Sequence, residues 1–150
     1  MAEHFKVAIV GSGPGGMSAA GRAAQTGVPH ILLEKTDHLS DTIYKYQKGK
    51  LVMATPEVLP LRSPMDFAMG IREDILGAWD RRTAELKVNI RFNAEVTKIV
   101  RGDKGFTITV NGRETLTADA VVLAIGLQGN LRKLGVPGSV RLEREVQELE

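Results

Sequence analysis

The chain has 150 residues, of which 43% are hydrophobic and 25% charged, with a formal net charge of +2, a pI near 9.0 and no cysteine. That length suits one domain and that composition a folded globular protein, which excludes low-complexity, fibrous and disulfide-stapled classes and any redox or metal chemistry based on thiolates. No apolar run reaches the roughly 18 residues a bilayer span needs, and the densest basic stretch, Lys45, Lys48 and Lys50, has no recognition motif beside it, so neither membrane nor nucleic acid is expected as a partner.

The first apolar run, Phe5 to Val10, predicts a strand that begins almost at the N-terminus. This leaves no room for a signal peptide and, with the lack of cysteine, points to the cytoplasm. Gly11-Ser12-Gly13-Pro14-Gly15-Gly16 follows directly, then an Ala- and Gly-rich helix of about 15–27, then a second apolar run, Ile31-Leu32-Leu33, closed by Glu34. Each part has a task if the ligand is a dinucleotide. Gly11 allows a tight turn out of the strand, Gly13 lets a pyrophosphate approach the backbone, and Gly16 lets the helix lie close on the sheet. The helix start offers unpaired N–H groups to phosphate, and an acid at the end of the second strand can accept bonds from ribose hydroxyls.

Further along, Ser63-Pro64-Met65-Asp66 reads as a helix start, with Ser63 as N-cap, Pro64 at the first position and Asp66 near the exposed amides. Phe67, Ala68, Ile71, Ile75, Ala78 and Trp79 recur at helical spacing, so an amphipathic helix is expected over 66–86. A short strand follows at about 88–92. A plain doubly wound domain would next supply a crossover helix. Here the pattern instead predicts strands at about 94–101, 105–111 and 113–117, with Asn111-Gly112 as a hairpin turn. A separate buried strand, Ala120 to Ile125, then ends at Gly126. His4, His30 and His38 have no ligand spacing, and Asp41 and Glu57 lack a paired acid, so no catalytic residue and no metal site is expected.

The glycine motif, the strand-end Glu34, the β-meander and the strand Val121-Val122-Leu123-Ala124-Ile125-Gly126 together resemble the two-dinucleotide-binding-domain flavoproteins. Within them the chain is most similar to the pyridine nucleotide-disulfide oxidoreductases of thioredoxin-reductase-like type, over about 5–138. Leu134-Gly135-Val136-Pro137-Gly138 matches the loop leading out of that family's FAD domain. The resemblance implies an α/β fold, a Rossmann-like parallel sheet of FAD/NAD(P)-binding type with a three-stranded β-meander crossover. It also implies that the cofactor is FAD. Gly11, Ser12, Gly13, Pro14, Gly15 and Gly16 would cradle the pyrophosphate, and Glu34 would hold the adenosine ribose with Lys35 beside it. Val96 would offer backbone atoms to the adenine edge, Ala124, Ile125 and Gly126 would pass close to the cofactor, and Thr42 would lie near the flavin phosphate. Residues 41–46 and 56–64 stand where relatives line the flavin side.

The sequence departs from that family in having no Cys-x-x-Cys pair, no second glycine motif after Gly138 and no later Gly-Asp motif. The expectation is therefore the FAD-binding portion, 1–138, of an NAD(P)H-dependent flavin oxidoreductase. In the complete parent, hydride would pass from nicotinamide to flavin. The alternative is a stand-alone, non-catalytic dinucleotide-binding module for FAD, ADP or NAD. The remaining 139–150 reads as a short amphipathic helix or tail. Its Leu142, Val146 and Leu149 form a stripe able to pack on the domain or pair with a second copy as a homodimer.

Overall fold

A computed structural model describes residues 3–53 and 62–126. β1 (His4–Val10) leads into α1 (Pro14–Gln25) and β2 (His30–Leu33). Pro14 sits in the first turn of α1, where a missing N–H costs nothing. The helix stops where Gly27, at φ 68°, bonds its N–H to the Ala24 carbonyl at 3.1 Å. Gly16, Met17, Ala20, Gly21 and Ala23 form its buried stripe, and the small Gly16 and Ala20 let the helix press on the sheet.

β1 and β2 run parallel from Val7 against His30 to Val10 against Leu33. They end at one level, and Gly11 donates its N–H to the Leu33 carbonyl at 2.9 Å. That register alone brings the glycine turn beside Glu34. The loop beyond holds α2 (Asp41–Tyr44), then the antiparallel ribbon of β3 (Leu51–Val52) and β4 (Gly70–Ile71), and α3 (Arg72–Glu85). β5 (Ile90–Arg91) pairs parallel with β2. The meander is β6 (Val96–Gly102), β7 (Gly105–Val110) and β8 (Glu114–Leu123), and the six-stranded sheet runs β5-β2-β1-β8-β7-β6.

Two expectations need correction. The helix expected over 66–86 begins only at Arg72, and Ser63 does not cap it. Residues 64–71 instead serve other partners: Asp66 accepts the Ala68 N–H in a local turn, the Trp79 indole donates to the Asp66 carbonyl at 2.8 Å, and Gly70–Ile71 is claimed by β3. Strand pairing and side-chain bonds thus take the backbone groups that a longer helix would have used internally. The third meander strand and the closing parallel strand are also one element, β8. Its first half pairs antiparallel with β7, up to Phe106 against Ala118, and its length from Thr117 onward pairs parallel with β1. Asp119, between the two expected strands, faces outward to Lys6 at 2.7 Å, so a charge inside the run does not break it.

The hairpin was legible: Asn111 and Gly112 both have positive φ, 51° and 70°, and the Arg113 N–H closes the turn on Val110. Alternation along β1 and β2 divides the core. Ala8, Ile31 and Leu33 pack with Ile108, Val110, Leu116 and Ala118 of the meander, whereas Ile9 and Leu32 pack with Ala20 of α1. A third cluster, Met17, Leu39, Ile43, Met65, Ile75 and Trp79, joins the three helices. Each such fully buried aliphatic side chain contributes about 1.5–3 kcal/mol over an exposed one. Among the described residues, no helix is long and apolar enough to cross a membrane.

Candidate functional site

The site forms where β1, β2 and β8 end together. Gly11 has φ 97°, and a Cβ there would lie 2.6 Å from the Ala124 carbonyl oxygen; a Cβ on Gly16 would lie 1.8 Å from the Gly11 carbonyl oxygen. Both glycines are thus required by backbone packing alone, with or without a ligand. Gly13 differs: a Cβ added there would meet nothing within 4 Å. The only glycine of the three whose space is open is the one at the N-cap of α1. No side chain caps that end, and the first amide to bond backward is Met17, to the Gly13 carbonyl at 2.9 Å. The amides of Gly15 and Gly16 are the donors that a helix start leaves over. Open space over such donors at the positive end of the helix suits a phosphate. These residues fit the pyrophosphate of a dinucleotide.

Ser12 does a different job from its neighbours. It is fully buried, and its N–H (3.0 Å) and hydroxyl (2.6 Å) both donate to Oε2 of Glu34. Its oxygen accepts the Ser40 N–H at 3.0 Å. Oε1 of Glu34 accepts the Thr36 N–H at 3.0 Å and the Thr36 hydroxyl at 3.1 Å. Glu34 is 6% exposed. Burial pushes its carboxyl up, but the donors from Ser12 and Thr36 outweigh this and hold it below the ordinary carboxylate range. The site therefore contains a buried, ionised acid that joins the glycine turn to the loop after β2.

That loop is bound in turn to the meander. Glu34 accepts the Ala94 N–H on its carbonyl at 2.8 Å, and Thr36 accepts that of Asn93 at 2.9 Å. Val96 opens β6 two residues beyond Ala94, pairs with Val110 of β7 and packs against the core beneath the meander. Ala124 bonds its N–H to the Val10 carbonyl at 2.8 Å and lies against the glycine turn; Ile125 is exposed beside it, and Gly126 has φ 65°. Lys35 is exposed next to Glu34. Thr42 is exposed on α2.

Sequence reasoning did not anticipate the contacts that Thr36, Ser40 and His38 make around Glu34 and α2. Ser40 holds a left-handed conformation, φ 52°, with its N–H on Ser12. His38 stacks on Tyr44 at 3.6 Å, with Nδ1 2.7 Å from Asp37 and Nε2 3.1 Å from Asp41. The signal available was only that Thr and Ser favour turns. His30 is structural: Nδ1 meets the Val28 carbonyl at 2.8 Å, and Nε2 accepts the Asn89 N–H. The stretch 56–61, the loop 134–138 and the tail 139–150 lie outside the described residues. Among the described residues, no group of three or more His, Asp or Glu side chains could hold a metal ion.

Comparison with known proteins places the chain in a family. The profile of the pyridine nucleotide-disulphide oxidoreductase family matches residues 5–150. A ferredoxin–NADP reductase of Levilactobacillus brevis is 29% identical over 93% of this chain and 39% of its own length. Among solved structures, the bacillithiol disulfide reductase Bdr (YpdA) of Staphylococcus aureus superposes with a TM-score of 0.69 at 19% identity, over 83% of this chain and 39% of that one. The FAD-bound form of OTEMO gives a TM-score of 0.64 at 18% identity, over 83% and 26%. At those identities the superpositions speak for the fold alone. The chain spans about two fifths of the length of the reductase it matches.

Proposed function

The chain belongs to the pyridine nucleotide-disulphide oxidoreductase family and is a FAD-binding portion of it, and from that premise we propose that it holds the adenosine half of FAD in an NADP-linked flavin oxidoreductase. The reading is carried by one observation, the open space over Gly13 at an uncapped helix start, with Gly11 and Gly16 on either side closed by backbone. Gly13, Pro14, Gly15 and Gly16 take the pyrophosphate. Glu34 takes ribose hydroxyl, with Lys35 at the rim, and Val96 borders the adenine. Ala124, Ile125 and Gly126 pass beside the cofactor, and Thr42 lies toward the flavin. Ser12 shapes the turn through its bonds to Glu34 rather than contacting phosphate.

When bound, the flavin would supply the redox chemistry, taking hydride from a reduced nicotinamide. The side chains of this chain bind and orient it. The sequence has no cysteine, so disulfide reduction does not use thiols of its own. The lack of cysteine also favours the cytoplasm. Lys45 is paired with Asp41 at 3.0 Å, which weakens the basic stretch as a nucleic-acid patch. Exposed Val122, Leu123 and Ile125 favour association with another protein surface, a second copy included.

The test is calorimetric titration of the full chain with FAD and with ADP, beside Gly13→Ala. Wild type should bind both, and the variant should lose binding while keeping its thermal melt. A Gly13→Ala protein that retains stoichiometric nucleotide would overturn the reading. Binding of ADP with no binding of FAD would favour the non-catalytic module instead.

A further inference from the structure

The four bonds to the Glu34 carboxylate are not equivalent. A carboxylate offers about four acceptor positions, and here each oxygen lies within hydrogen-bond distance of one backbone N–H and one hydroxyl, the Thr36 proton being shared between Oε1 and the His38 carbonyl. A ribose hydroxyl can therefore bond Glu34 only where a donor gives way. The Ser12 hydroxyl is a poor one to replace: its bond is short, 2.6 Å, its residue is fully buried, and its oxygen also carries the Ser40 N–H. The two backbone amides are fixed by the turn. The Thr36 hydroxyl is different. It has a single proton and two acceptors, Oε1 of Glu34 at 3.1 Å and the His38 carbonyl at 2.9 Å. It can leave Glu34 without losing a partner.

We propose that Thr36 is a positioning residue that works as a hydrogen-bond exchanger, holding one acceptor site of Glu34 in the free protein and surrendering it to a ribose hydroxyl by swinging its proton to the His38 carbonyl. Oε2 then remains the structural oxygen, tied to the glycine turn through Ser12, and Oε1 becomes the recognition oxygen. This extends the reading that adenosine binds at Glu34. It assigns the selectivity of the site to one exchange at a half-buried threonine, and the exchange keeps the count of bonds to the buried acid constant throughout. A ligand without that hydroxyl gives Thr36 nothing to exchange with. The ligand class favoured is accordingly a nucleotide whose ribose hydroxyls are free.

The test uses Thr36→Val, Thr36→Ala and Thr36→Ser in the full chain, each titrated with ADP, 2′-deoxy-ADP and 3′-deoxy-ADP, with thermal melts taken without nucleotide. In Thr36→Val and Thr36→Ala the site on Oε1 is open from the start. ADP should bind about 3- to 10-fold tighter, the scale of the difference between a hydrogen bond to a charged group and the neutral one that Thr36 keeps at His38. The deoxy analogue lacking the recognised hydroxyl should gain nothing, so its discrimination from ADP widens by the same factor. Thr36→Ser should restore wild-type discrimination. A purely structural threonine would instead weaken all three nucleotides together and lower the melt. Equal shifts for all three, or discrimination unchanged in both Thr36→Val and Thr36→Ala, would overturn the exchange and leave the nucleotide site standing. Failure of wild type to bind ADP or FAD at all would overturn both.

Discussion

Two leucines flank the same residue. Val10 is paired with Leu33 of β2 on one side and with Leu123 of β8 on the other. Leu33 is 1% exposed and Leu123 is 63% exposed. Both end parallel strands, and both follow apolar runs that read alike in the sequence. The difference lies in what stands over them. Leu33 is covered by Ala94 and by Ile108, Val110 and Leu116 of the meander. The second half of β8 has left β7, whose pairing stops at Ala118, so Val122, Leu123 and Ile125 lie open. The Glu34 side of the site thus has its core and its polar network within this chain, whereas the β8 side presents apolar surface outward.

The comparison is sharpened by substitutions on each side. Leu33→Ala should cost about 2–5 kcal/mol, the range for emptying a buried leucine site, measured as a fall in urea midpoint at unchanged slope. A cost below about 1 kcal/mol would mean that the meander does not pack on β2 as described. Gly16→Ala should cost about 1–3 kcal/mol through overpacking, since its new methyl meets the Gly11 carbonyl, a backbone atom that cannot swing aside. It should also lose nucleotide. Set against Gly13→Ala, which should lose nucleotide alone, it separates a glycine needed for folding from one needed for a ligand.

Acid probes the same side. The Glu34 carboxyl lies below its ordinary value in the folded protein, so the unfolded chain takes up the proton first as pH falls. The stabilisation is complete above the unfolded value of about 4.3 and is lost as pH falls from there through the folded value. Urea midpoints taken between pH 7 and pH 3 should fall in that acid window, and Glu34→Gln should flatten this part of the curve; an unchanged acid slope would separate Glu34 from it. The smallest effect belongs to the other side. Leu123→Ser should change stability by no more than about 0.5 kcal/mol, while light scattering should report less self-association than wild type. A large loss of stability would place Leu123 in a core, ending the contrast with Leu33.

Much of the fold could be read directly. The glycine turn, the apolar runs on either side of it and the Asn111-Gly112 hairpin are local signals, each set by which φ values or spacings a few neighbouring residues permit. Glu34 was legible as an acid at a strand end for the same reason. The helix before β5 was misread at its start because Ser63-Pro64 is a good local beginning, and no local rule contains the claim of β3 on Gly70 and Ile71. Thr36 was not legible at all. Its role depends on Glu34, His38 and Asn93 meeting it at once, and Asn93 is 57 residues further along the chain.

By itself, then, the sequence determined the first strand, glycine turn, helix and second strand, the identity of the acid that ends it and the hairpin of the meander, because these follow from chain flexibility, periodicity and short-range hydrogen bonding. Only the tertiary structure decided that β8 is a single strand shared by two pairings, that Ser12 points to Glu34 rather than outward, and that Leu33 is buried while Leu123 is not. Those outcomes are set by which distant segments come to lie against each group and take it out of water, and burial of that kind is a property of the assembled layers, not of any residue's neighbours in the chain.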